Sequence, residues 1–118
     1  MDERHKRGRD AEALAQRHLQ RRGLTAVTSN YRCRRGEIDL VMRDGDALVF
    51  VEVRFRSDPR FGAGAESVDL RKQARLIAAA SHYLQRHPAD GPVRFDVVAV
   101  APGRLRPRID WIRDAFRA

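Results

Sequence analysis

The chain has 118 residues, so one domain spanning 1–118 is expected, and its 42% hydrophobic and 34% charged residues argue against a disordered chain. No apolar run nears the ~18 residues that span a bilayer, and a lone cysteine, Cys33, excludes an internal disulfide or a thiolate zinc cluster. The formal net charge of +8 favours a polyanionic partner, nucleic acid ahead of an anionic membrane surface.

The start, RHKRGRDAEALAQ, is basic but is followed by no apolar signal-peptide core, so a reducing, cytoplasmic setting is expected. Residues from about Glu3 to Arg21 suit a helix, with Ala11, Leu14, Ala15, His18 and Leu19 along one stripe and Gly23 at its stop. TAVTSNYR, residues 25–32, is β-branched enough for a first strand. GEIDLVMRDGDALVFVEVRFR, residues 36–56, reads as two strands joined by a tight turn. A Gly- and Pro-containing loop, SDPRFGAGAES, leads to a second helix from about Val68 to Arg86, capped by Ser67 and carrying Leu70, Ala74, Ile77, Ala80 and Leu84 on its apolar stripe. RFDVVAVAP reads as a buried strand, and RIDWIRDAF as a short strand or helix. The order αβββαβ predicts an α/β (α+β) fold with a mixed sheet between helices.

The hairpin carries charge where a core strand would not. Alternation puts Ile38, Leu40 and Met42 on one face with Val49, Val51, Val53 and Phe55. Glu37, Asp39, Val41 and Arg43 then share the other face with Leu48, Phe50, Glu52 and Arg54. A type I′ turn at Asp44-Gly45 sets Glu52 one diagonal step from Asp39, whereas a type II′ turn at Gly45-Asp46 sets the two directly opposite. Either register lets both carboxylates reach one ion. Opposed carboxylates are stable only with a cation between them or a proton on one. A hard divalent ion such as Mg²⁺ or Mn²⁺ would satisfy them, with Arg54 stabilising phosphate charge. The bland reading is a surface of ion pairs, each contributing about 0 to 1 kcal/mol, and spacing alone does not decide.

The same residues carry a resemblance. GEIDLVMRDGDALVFVEVRFRS looks like the signature of the YraN-like family of bacterial proteins, whose usual form runs GEIDLIARDG and then LVFVEVKxR. GRDAEALAQRHLQRRG, SNYRCRRGEIDL, FGAGAESVDLRKQARLIAAASHYL, RFDVVAV and DAF extend it over nearly the whole chain. That family is similar to the PD-(D/E)xK superfamily, which includes restriction endonucleases and Holliday-junction resolvases. The resemblance implies a restriction-endonuclease-like fold, with Asp39 and Glu52 as metal-binding, catalytic carboxylates. It also implies Glu12 as an assisting metal ligand and Arg54 at the catalytic lysine position. Arginine stays protonated and cannot act as a base there, so Arg54 keeps only an electrostatic role. Lys72, one of only two lysines, is read as a helix-surface residue, with spatial substitution for the missing lysine as the alternative.

Arg32, Arg34 and Arg35 precede the hairpin and Arg56 and Arg60 follow it, a candidate phosphate-binding rim. Tyr31 and Phe61 are stacking candidates that more often pack in a core or rim. His5, His18, His82 and His87 have no metal-ligand spacing. Gly62 and Gly64 lack the lysine and hydroxyl of a P-loop, and Ser67 and Ser81 have no evident catalytic partners. The expected function is nucleic-acid binding, DNA first, with Mg²⁺-dependent phosphodiester cleavage. The alternatives are a noncatalytic binding module and a protein-interaction domain. Analogy with the resolvases adds a homodimer.

Overall fold

A computed structural model describes residues 3–56 and 68–118, with side chains from residue 8 onward. Arg60, Phe61, Gly62, Gly64 and Ser67, and the side chain of His5, therefore lie outside the described residues. In chain order the elements are α1 (Glu3–Arg21), β1 (Thr25–Cys33), β2 (Gly36–Asp44), β3 (Ala47–Phe55), α2 (Leu70–Arg86), β4 (Val93–Ala101) and β5 (Arg108–Phe116). The final segment is a strand, so the order is αβββαββ rather than the expected αβββαβ. Its Ile109 and Trp111, two residues apart and so on one face of the edge strand, pack against the core.

The five strands lie in the order β1-β2-β3-β4-β5. Neighbours are antiparallel except β3 and β4, which are parallel and joined through α2. This mixed α+β arrangement is compatible with the restriction-endonuclease-like fold. Val49 and Val51 of β3 pack with Ala11, Ala15 and Leu19 of α1, while the alternating Leu48 and Phe50 pack with Leu76, Ala79, Ala80 and Tyr83 of α2. The two helices therefore cover opposite faces of one sheet.

Helix α1 ends as its glycine demands. Gly23 adopts φ +99°, and its N–H donates to Gln20 O at 3.1 Å while Leu24 N–H donates to Leu19 O at 3.1 Å. That bond pair, with Leu19 and Leu24 buried together, is a Schellman stop. Helix α2 departs from expectation at its start. Asp69 is the N-cap, its carboxylate accepting from Lys72 N–H at 2.8 Å. The apolar stripe is also rotated. Leu70 is 80% exposed and Ala74 is exposed, while Leu76, Ala79, Ala80 and Tyr83 meet the sheet. The helix carries apolar residues around more than half its girth, so spacing alone allowed two stripes. Tyr83, with edge contacts to Tyr31 and Phe50, decides for this one.

Candidate functional site

The hairpin turn settles the register. Asp44 pairs with Ala47 and Leu40 with Val51, leaving Gly45-Asp46 as the two-residue loop. Only Gly45 has a left-handed φ, +61°, the pattern of a type II′ turn. Continued by one step, this register sets Asp39 opposite Glu52.

Backbone pairing between β2 and β3 stops at Leu40 and Val51, and the Asp39 carboxylate takes over. Its Oδ2 accepts the Val53 N–H at 2.8 Å. On the other side of β2, the β1 pairings run through Ser29 and Leu40, then Tyr31 and Ile38, skipping Asn30 and Asp39. Asn30 has a left-handed φ of +53°, which a short polar side chain tolerates. This local break overturns strict alternation along β2. Ile38 packs with Val41 under α2, not with Leu40 and Met42 under α1. The sheet opens where Asp39 stands, and both helices reach the opening.

The result is a cavity of about 170 Å³ between the first turns of α2 and the N-terminal half of α1. Glu12, Glu37, Asp39, Glu52, Lys72 and Arg75 line it. Glu52 is buried on the α2 face of β3. Lys72 Nζ lies 2.8 Å from Glu52 Oε1, and Arg54 lies 4.0 Å from the same oxygen. A glycine makes this reach possible. A Cβ on Gly36 would stand 2.3 Å from the Arg75 backbone oxygen, so α2 lies directly against the start of β2.

The electrostatics follow from crowding. The Asp39 carboxyl is pushed up to about 8, first by burial and then by the neighbouring Glu52 charge, against the lowering bond from Val53 N–H. Protonated, it shares a hydrogen bond with Glu52. Glu12 is also raised, by burial and by Glu37, although a hydrogen bond from the Asn30 side chain opposes the shift.

The expected site residues are distributed as follows. Asp39, Glu52 and Arg54 converge, and Glu12 lines the same cavity with its carboxylate engaged by Asn30. Arg32 is at the rim, 3.3 Å from Glu37. Arg34 and Arg35 form the exposed β1–β2 turn and border a separate groove beside α2. Arg56 is half-buried at the end of β3, its N–H donating to Val100 O at 2.8 Å, and its buried Nε has no hydrogen-bond partner among the described residues. Tyr31 is a packing residue whose hydroxyl bonds His82. The residues that sequence reasoning undervalued are Lys72, Arg75 and Asn30. A lysine retained where nearly every basic residue is arginine was the one available signal.

Among the described residues no three His, Cys, Asp or Glu side chains are grouped to hold a metal ion. The donor set is a carboxylate pair. With Lys72 and Arg54 beside Glu52, burial and the Glu52 charge still push the Asp39 carboxyl up, and two converging carboxylates of this kind fit a hard divalent ion; Mg²⁺ in particular keeps several waters rather than requiring a closed protein cage.

Fold and site together define a mixed α+β protein with two carboxylates converging at a break in its sheet. The profile of "Uncharacterised protein family UPF0102" matches residues 11–100. The UPF0102 protein of Methylococcus capsulatus is 52% identical over 94% of this chain and 90% of its own length. That of Nitrosomonas europaea is 53% identical over 93% and 92%, and that of Stutzerimonas stutzeri 52% identical over the whole of both. The chain belongs to the UPF0102 family of bacterial proteins, the YraN-like family of the sequence resemblance.

Proposed function

We propose that this protein binds nucleic acid, DNA first, and cleaves its phosphodiester bonds with Mg²⁺ or Mn²⁺ held by Asp39 and Glu52. The observation that carries the reading is the meeting of two carboxylates, one of them pushed up to about 8, in an open cavity rather than in a sealed core. When bound, the ion supplies Lewis acidity toward a phosphoryl oxygen and acidifies water. The chain's own groups do the rest. Val53 N–H fixes the Asp39 rotamer, so one carboxylate is positioned before any ligand arrives. Arg54 and Arg75 offer positive charge to the phosphodiester, and guanidinium groups match phosphate geometry. Glu12, on the opposite helix, closes the cavity and can contribute through water. Arg32 extends the basic rim beside Glu37, while Arg34 and Arg35 on the groove beside α2, and Arg56 and Arg60 next in sequence after β3, add positive charge that would make affinity fall with salt. No helix among the described residues is long and apolar enough to cross a membrane.

A noncatalytic binding module is the second reading, favoured by one contact: Lys72 already neutralises Glu52 at 2.8 Å. Incubation with single-stranded, duplex and branched DNA, with Mg²⁺ or Mn²⁺, separates the two. Cleavage reduced by about 10²-fold or more in Asp39→Ala is expected. Equal rates in wild type and Asp39→Ala would reject catalysis at this site, and salt-dependent binding without cleavage would select the second reading.

A further inference from the structure

Two cations approach Glu52 Oε1, and they are not equivalent. Arg54 extends along β3 from two residues beyond Glu52 and stops at 4.0 Å, whereas Lys72 crosses from α2 and makes the close contact at 2.8 Å. The Lys72 backbone is anchored, because its N–H caps onto Asp69 and α2 rests on Gly36 through Arg75. Its side chain is 45% exposed and enters the cavity from solvent. A half-exposed four-carbon stem on an anchored backbone leaves the ammonium other rotamers to adopt. A lysine ammonium is a compact point charge on such a stem, while a guanidinium is a rigid plane.

The ammonium occupies one of the two carboxylate oxygens that Glu52 could offer a divalent ion. Two cations crowded onto one carboxylate oxygen repel, strongly so where water is scarce. Resting on the metal-nuclease reading above, we infer that Lys72 is the resident counter-cation of Glu52 in the metal-free protein. It yields that position when a divalent ion binds, which frees its ammonium to pair with a phosphate oxygen of the substrate. Lys72 therefore opposes metal binding and assists cleavage.

Mn²⁺ binding without nucleic acid, followed by electron paramagnetic resonance of the free ion, tests the first half. Wild type, Lys72→Met, Lys72→Arg and Asp39→Asn are compared, with circular dichroism to verify folding. Lys72→Met is expected to bind Mn²⁺ about tenfold more tightly than wild type. Lys72→Arg should show no gain, and Asp39→Asn should lose binding. Cleavage at saturating Mn²⁺ tests the second half: kcat for Lys72→Met should fall about tenfold or more with KM little changed. Unchanged or weaker Mn²⁺ binding in Lys72→Met, while Asp39→Asn loses it, would overturn the inference and leave the metal site standing. Undiminished kcat in Lys72→Met would overturn the phosphate role. Binding by Asp39→Asn equal to wild type would remove the site itself, and the inference with it.

Discussion

Asp39 and Asp96 are carried by the same sheet, and their surroundings are opposite. Asp96 is fully buried on β4, yet its two oxygens receive Arg94 Nε at 3.0 and 3.2 Å, Arg94 Nη2 at 3.1 Å, Trp111 Nε1 at 2.9 Å and Asp114 N–H at 2.9 Å. A bulge in β5 makes this possible, since three residues, 113–115, stand opposite Asp96 alone, and Asp114 takes a left-handed φ of +50°. Asp39 has one backbone donor and faces Glu52 and Glu12. Burial by itself distinguishes nothing. A carboxylate whose lone pairs are all answered within the fold holds strands together, whereas one left among like charges is set to take a ligand.

The largest expected effect falls on the saturated carboxylate. Asp96→Ala leaves the Trp111 indole N–H and the Asp114 N–H without their acceptor and removes one of the two carboxylates on the half-buried Arg94, which keeps Asp44 at 2.9 Å. At about 1–3 kcal/mol per unsatisfied donor, unfolding by urea should show a loss of about 3–5 kcal/mol. Any activity lost in that variant should track the fraction unfolded; a stable but inactive Asp96→Ala would blur the contrast between the two aspartates.

A smaller and opposite effect is expected at Asp39. Burial and the Glu52 charge push its carboxyl up to about 8 in the folded chain, from an ordinary value of 3.8. Between those limits the folded state binds the extra proton. That advantage is full below about pH 4 and is lost as pH rises through 8. Metal-free protein should therefore lose stability across that window. Asp39→Asn should flatten the slope, exceeding wild type at pH 8 by an amount on the order of a few kcal/mol. Thermal melts with and without chelator at several pH values measure it, and a slope identical in wild type and Asp39→Asn would contradict the assignment.

Much of the frame was legible. The 3.6-residue spacing from Ala11 to Leu19 and the stop at Gly23 bounded α1, and the apolar alternation of β3 fixed its buried faces. The hairpin was legible up to its turn. Asp44-Gly45 and Gly45-Asp46 both carry turn chemistry, and only the pairing of Asp44 with Ala47 selects the second. The break at Asp39 was not legible because its cause lies outside β2. It requires the left-handed Asn30 on β1 and an N–H offered by Val53 on β3. Lys72 is on the helix surface, as the pattern of LRKQAR indicates, but nothing local to it shows that α2 begins against Gly36 and aims its first turn at Glu52. Long-range placement, rather than propensity, is what the pattern of one strand or one helix omits.

The most direct test of the central claim, that Asp39 and Glu52 form a cation-seeking pair, is a carboxyl ¹³C NMR titration of Asp39 with and without Mg²⁺. The account predicts a midpoint near 8 in the metal-free protein and a fall of about two units or more once Mg²⁺ replaces the shared proton. A midpoint near the ordinary aspartate value in both conditions, or one near 8 that Mg²⁺ does not move, would contradict it.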